Sequence, residues 1–258
     1  MDTWTFCETL GPVEGNKLMR AHWDSWVNET LIADLAATGV ELLRLPVGDW
    51  TLDPYGPYVG CMDGAAEKID WLYDVCAKYN ISVLMSLHAV KDSQNGDASS
   101  GRTSDIVWTT PNNFTHEGAA RWFGDWNSVN LRYQHINFAS INWALMVIEH
   151  LLQRYGAHSA FYAFSPLNEP QTFPLFDVLK EYYQRSRKLV QKYTAGAKFV
   201  MSNSGQYDPK ILNSFFRSND MANVIVDFHF YMAWSTITTV QEACDYTEST
   251  LLQFTQGL

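Results

Sequence analysis

Glu169 is the residue in this chain hardest to explain by packing. It stands between Asn168 and Pro170, directly after the apolar run Ala160–Leu167 (AFYAFSPL). A carboxyl leaving an apolar strand loses hydration in its charged form, and so holds a proton near neutral pH, as a general acid must. Three other apolar runs also end in polar or ionisable residues. Glu41–Pro46 (ELLRLP) carries Arg44 and leads into Gly48-Asp49-Trp50. Ile81–His88 (ISVLMSLH) ends in His88, ahead of Asp92, Gln94 and Asn95. Asn223–Tyr231 (NVIVDFHFY) carries Asp227, His229 and Tyr231 at the spacing that puts them on one face of a strand. Gathered on one rim, these groups would make a convergent polar pocket. Taken singly, each has a structural explanation: an ion-pair partner for Arg44, a hydrogen-bonded core histidine for His88, a polar network for the last three. A metal held by His88, Asp227 and His229 has no His-x-His pair or carboxylate-rich partner behind it, so no metal and no other cofactor is expected.

Such a pocket needs a scaffold that brings strand ends together. With Ala197–Ser202 (AKFVMS) the apolar runs number five, and they are nearly continuous rather than alternating, as in parallel strands buried on both faces. Between them lie amphipathic stretches that predict helices: 28–38 closed by Gly39, 64–79 with Ile69, Leu72, Tyr73 and Cys76 on one face, 136–155 stopped at Gly156, 175–193 ahead of Gly196, and 240–254. Strand–helix alternation gives a doubly wound sheet or a (β/α)8 barrel. No Gly-rich phosphate loop follows the first strand, which favours the barrel, an α/β fold. A barrel needs eight strands, and its functional groups sit at the C-terminal strand ends. Five strands are clear, a sixth candidate lies at Trp4–Phe6, and 89–135 reads as a long loop that adds none. The expectation is a single catalytic domain over residues 1–258, an incomplete barrel truncated at both ends.

The 258 residues are 47% hydrophobic and 18% charged, enough for a large core and unlike a disordered chain. Lys and Arg total 18 against 28 Asp and Glu, and this net charge of -10 with no basic patch argues against nucleic acid as a partner. No apolar run reaches the roughly 20 residues of a membrane span. Aromatic residues reach 14% of the chain, a density that suits stacking on sugar rings as well as core packing. Tyr55, Tyr58, Trp108, Trp122, Trp126 and Trp234 are the candidate platforms, and about half of them are expected simply to pack. Cys7, Cys61, Cys76 and Cys244 show no zinc-site spacing. Sequons at Asn28, Asn80 and Asn113 lean toward a glycoprotein, yet the opening Met1-Asp2-Thr3-Trp4 is no signal peptide. Either the protein is cytosolic or its true N-terminus lies elsewhere.

RLPVGDW (44–50), SLHAVKDSQNGDASSG (86–101), LNEP (167–170) and DFHFY (227–231) together resemble glycoside hydrolase family 5, a family of retaining (β/α)8 glycosidases. Ser93-Gln94-Asn95-Gly96 with Ser100-Gly101, and the upstream Arg20-Ala21-His22-Trp23-Asp24-Ser25-Trp26, look most like the fungal and oomycete exo-β-1,3-glucanases. LNEP alone is weak; the four segments in order, with the Ser-Gln-Asn-Gly loop, are specific. The resemblance implies Glu169 as acid/base, with Arg44, His88, Asn168, His229 and Tyr231 binding substrate or orienting the reacting carboxyls. It further implies a monomeric, secreted or cell-wall enzyme acting on β-glucan oligo- or polysaccharide by double displacement, its two carboxyls about 5 Å apart.

The chain also departs from that pattern. The family's nucleophile is a glutamate at the end of strand seven, and the sequence stops at Phe254-Thr255-Gln256-Gly257-Leu258, where that strand would begin. A Gly-Gly-Trp segment expected on strand one is absent, and Ala89 stands where glycine usually follows the histidine. The family's last-helix cysteine corresponds to Cys244, whose partner would lie past residue 258. As written, the chain is expected to lack the nucleophile and to be inactive. Other readings are another family 5 specificity (endo-β-1,6-glucanase, β-mannanase, endoglucanase) or a glucan-binding protein that has lost catalysis.

Overall fold

The near-continuous apolar runs do form parallel strands. The computed structural model describes residues 2–104, 106–110, 113–116, 121–127, 129–130, 132–170, 176–203, 212, 214–216, 221–229 and 237–255. In chain order the elements are α1 (Thr3–Trp26), α2 (Glu29–Ala37), β1 (Leu42–Gly48), α3 (Ala65–Lys78), β2 (Ser82–Ala89), β3 (Ile106–Thr110), β4 (Asn113–His116), β5 (Gly124–Asn127), β6 (Arg132–Ile136), α4 (Phe138–Tyr155), β7 (Phe161–Ser165), α5 (Phe176–Tyr193), β8 (Lys198–Ser202), β9 (Val224–Asp227) and α6 (Val240–Thr255). The main sheet runs β1-β2-β7-β8-β9, parallel at every pairing.

Local chemistry explains where the helices begin and end. The Asn28 side chain caps α2 by accepting from the Leu31 N–H at 2.9 Å, and Gly39 at φ 88 takes the left-handed conformation that closes it. Asn137 caps α4 in the same way, accepting from the Ser140 N–H at 3.2 Å. Facing the helices, Val83, Met85 and Leu87 of β2 and Phe164 of β7 lie against Tyr73 and Cys76 of α3 and Ile148, Leu151 and Leu152 of α4, all buried in one core. The other face of the sheet carries Arg44, Ser86, Ser165, Ser202 and Asp227, as the strand register requires.

Three expectations need correction. Trp4–Phe6 is not a strand but part of α1, whose two segments meet at a kink where Gly11 has φ 71 ahead of Pro12. α1 has a weak apolar stripe, with only Cys7 and Gly15 buried, so periodicity does not reveal it. It is tied down covalently instead: a Cys7–Cys61 disulfide joins it to the loop after β1. Second, the segment after β2 is not merely loop, since it forms two antiparallel hairpins, β3–β4 and β5–β6, outside the main sheet. Third, β9 ends at Asp227, so Asp227 and His229 do not share one regular strand face. No helix among the described residues is long and apolar enough to cross a membrane.

Candidate active site

Arg44, from the middle of β1, and the C-terminal ends of β2, β7, β8 and β9 bring the predicted groups together. On the inner face of β1, Arg44 donates through Nη2 to Asn168 Oδ1 at 2.7 Å and to Ser86 Oγ at 3.3 Å. A guanidinium can only donate, so this contact turns the Asn168 amide with its oxygen toward Arg44 and its NH2 group elsewhere. Asn168 itself is 1% exposed. Glu169 follows at φ 40, a left-handed backbone that a residue with a Cβ adopts only at a cost in strain. Its N–H donates to Ser202 Oγ at 3.0 Å, at the end of β8.

The Glu169 carboxyl faces His229, with Oε1 at 2.5 Å from Nδ1. The opposite ring nitrogen, Nε2, lies 3.0 Å from Asp227 Oδ2. An imidazole between two carboxylates is stabilised as the cation, and the hydrogen bonds to Asp227 and then Glu169 raise its pKa to about 9. The same hydrogen bond from His229 holds the Asp227 carboxyl below its usual range. His88 is tuned the other way. Burial first, and the nearby Arg44 guanidinium second, lower its pKa to about 4. Its Nδ1 is buried with no hydrogen-bond partner among the described residues, a position tolerable for a neutral ring and not for a proton-bearing one. One site therefore holds a charged and a neutral histidine at neutral pH.

The Glu169 side chain is 29% exposed, so this carboxyl is open to a ligand rather than sealed in the apolar strand that precedes it. Arg44, His88, Asn168, Glu169 and His229 thus converge as their spacing suggests; Tyr231, Trp234 and the Trp108 side chain fall outside the described residues. Asp49 is not a rim carboxylate: it is fully buried, accepts from Tyr55 Oη at 2.9 Å and the Lys91 N–H at 2.6 Å, and is pushed by burial up to about 7. Two ring platforms are also packed away. Tyr58 stacks on Trp50 with ring centroids 4.0 Å apart, and Trp122 lies edge-on to Tyr182 at 4.8 Å; both are buried.

Sequence reasoning overlooked the supports beneath the site. Tyr182 and Tyr183 of α5 donate at 2.8 Å to the carbonyls of Pro166 and Ser202, just past β7 and at the end of β8. Adjacent tyrosines in an amphipathic helix look like core, and only the position of their hydroxyls marks them as props. Ser202 offered a weak signal, a small polar residue closing an apolar run.

A carboxyl, an amide, a guanidinium and two histidines thus gather at one rim of a parallel α/β sheet, the place where barrel enzymes carry their functional groups. The chain belongs to glycosyl hydrolase family 5: the family profile described as Cellulase (glycosyl hydrolase family 5) matches residues 11–255. Family membership makes the (β/α)8 barrel its fold class. The chain is 29% identical to the "Probable glucan 1,3-beta-glucosidase A" of Aspergillus terreus, across 99% of this chain and 56% of that protein. It is 27% identical to the "Glucan 1,3-beta-glucosidase" of Blumeria graminis, across 96% of this chain and 52% of that protein. The chain therefore spans about half the length of the curated relatives it matches. The crystal structure of rutinosidase from Aspergillus niger superposes with a TM-score of 0.72 over 95% of this chain and 65% of that one, a likeness of fold at 17% identity.

Proposed function

We propose that the protein carrying this chain is a retaining β-glucan hydrolase of the exo-1,3-β-glucosidase type, with Glu169 as its acid/base. The observation that carries the reading is the pairing at one rim of an accessible Glu169 carboxyl with an Asn168 amide whose orientation Arg44 fixes. A carboxylate attacks the anomeric carbon while Glu169, taking up the proton that it shares with His229 Nδ1 across 2.5 Å, passes it to the departing glycosidic oxygen. Glu169 then takes a proton from water as that water displaces the carboxylate. The NH2 group of Asn168, turned away from Arg44, would donate to a sugar hydroxyl, a hydrogen bond that strengthens as positive charge develops on the ring. Neither Asp49 nor Asp227 is assigned the attack, since the first is sealed and the second is committed to His229. The glucan preference follows the names of the curated relatives.

Secretion, and residues 1–258 acting as one catalytic domain, belong to the same proposal. The Cys7–Cys61 disulfide supports an oxidising compartment, and Asn28 and Asn80 of two sequons are exposed.

Substituting Glu169→Ala in the complete gene product tests the mechanism. Release of glucose from unactivated β-1,3-glucan should fall by roughly 10²–10⁴-fold. An aryl β-glucoside with a good leaving group should lose far less in its first step, since that oxygen needs little protonation. Equal losses on both substrates would contradict the acid role.

A further inference from the structure

The loop after β2 supplies two side-chain amides, Gln94 and Asn95, that donate to the backbone carbonyls of Asn168 and Glu169. Gln94 is fully buried, and its Nε2 donates to the His88 carbonyl at 2.7 Å and to the Asn168 carbonyl at 2.9 Å. Both partners are acceptors, so the amide nitrogen must be the end that faces them, and both of its hydrogens are used. Next to it, Asn95 is 6% exposed and its Nδ2 donates to the Glu169 carbonyl at 3.0 Å, while its Oδ1 accepts from the Asp97 N–H at 2.9 Å. Across the dipeptide, Ser202 takes the Glu169 N–H. The backbone of Asn168–Glu169 is thus gripped from the β2 loop on one side and from β8 on the other, at the point where φ of Glu169 is 40.

The loop that does the gripping is itself braced. Ser93 Oγ accepts from the Gly96 N–H at 2.7 Å and pairs with the Ser100 hydroxyl. The Asp92 and Ser93 carbonyls accept from the Arg121 and Trp122 N–H groups at 2.6 and 3.1 Å. The Asp92 carboxylate accepts from Asn137 Nδ2 at 3.2 Å and from the Ser140 hydroxyl on α4. A grip anchored in this way resists the relaxation of Glu169 toward an ordinary right-handed or extended backbone. Such relaxation would swing the carboxyl off its line to His229 and to the glycosidic oxygen.

We propose that Gln94 and Asn95 are positioning residues for proton transfer: their side-chain amides clamp the Asn168–Glu169 backbone in its strained form and so aim the Glu169 carboxyl. The proposal rests on the hydrolase reading above and adds residues that touch no substrate. Misplacement of a reacting group by about 1 Å costs on the order of 10²-fold in rate. Gln94→Met, which keeps the length and removes the donors, should therefore lower kcat on unactivated glucan by about 10–100-fold with KM little changed. The first step on a dinitrophenyl β-glucoside should be nearly unaffected. Azide, which attacks the glycosyl-enzyme ester without needing a base, should restore turnover on that substrate as the glycosyl azide. Asn95→Ala, which frees the Glu169 carbonyl and, within the loop, the Asp97 N–H, should show the same pattern more weakly, and it serves as the second variant if Gln94→Met does not fold. Equal losses on both substrates, a loss confined to KM, or wild-type rates in both variants would overturn the proposal.

If the unaltered protein hydrolyses neither substrate, the hydrolase reading fails on its own account, and the clamp is judged by the variants' crystal structures. It stands if Glu169 leaves the 2.5 Å contact with His229, and falls if the dipeptide keeps its place.

Discussion

Two histidines with opposite tuning set the residue-scale behaviour of the site. His229, raised to about 9 by Asp227 and Glu169, binds its proton more tightly in the folded protein than in the unfolded chain. Its contribution to stability is complete below about pH 6.5 and is lost as pH rises toward 9. His88, lowered to about 4 by burial and Arg44, does the reverse. The unfolded chain takes up a proton that the fold refuses, so stability is lost as pH falls from about 6.5 toward 4. The expected outcome is a pair of single-histidine signatures. Replacing His229 with Gln should flatten the stability profile on the alkaline side, and His88→Gln should flatten it on the acid side. Denaturant unfolding of each variant against the parent across pH 4–9 reads this, because titrating groups out of contact with the replaced ring, such as Asp49, cancel in the difference, while Asp227 moves with His229 on the acid side. Midpoints for the two imidazoles near 4 and 9 by NMR are the accompanying check, and two midpoints near 6.5 would refute the geometry.

Elements hold these residues by quite different means. β2, β7 and β8 place their polar ends by sheet register and core burial, with α5 hydroxyls capping two of the freed carbonyls. α1 buries only Cys7 and Gly15, and it is held by the Cys7–Cys61 disulfide, which closes a loop with a sequence separation of 54, together with the packing of Trp4 and Phe6 on the Trp50–Tyr58 cluster and the Trp4 N–H to Gly101 carbonyl bond at 2.9 Å. Chain-entropy arithmetic for a loop of that size gives about 4 kcal/mol of stabilisation through the unfolded state. Reduction, or paired Cys7→Ser and Cys61→Ser substitution, should therefore lower the unfolding free energy by about 2–4 kcal/mol. The buried free thiol of Cys76 should not contribute to this loss. A calorimetric scan with and without reductant measures it, and an unchanged Tm would mean that α1 is held by other contacts.

For the molecule as a whole, one core beneath the main sheet carries the parallel strands and thereby the site. Phe164 is at its centre, fully buried on β7 and paired in register with Met85 and Phe199. Phe164→Ala should cost about 3–5 kcal/mol from lost burial and the cavity it leaves, measurable by urea unfolding. Glu169 is five residues further along the same chain segment, so the loosened strand should also lower activity at temperatures where the protein remains folded.

Much of this arrangement was legible in the sequence, because its physics is local. Continuous apolar runs alternating with amphipathic stretches are the pattern of parallel strands under helices, and an ionisable residue carried by such a run is placed near the strand ends. Arg44, His88, Asn168, Glu169 and His229 were found that way. Tertiary structure alone decided the rest. Asp49 and Asp92 read alike as loop carboxylates, yet Asp49 is sealed under Tyr55 and beside Lys91, and Asp92 braces a clamp. α1 escaped notice because a disulfide replaces the apolar stripe that would have announced it. The opposite charge states of two histidines, and the grip of Gln94 and Asn95 on a backbone more than 70 residues away, depend on distances between segments remote in the chain. Periodicity encodes which face a residue takes on its own element; which partner it meets there is set only when the elements pack.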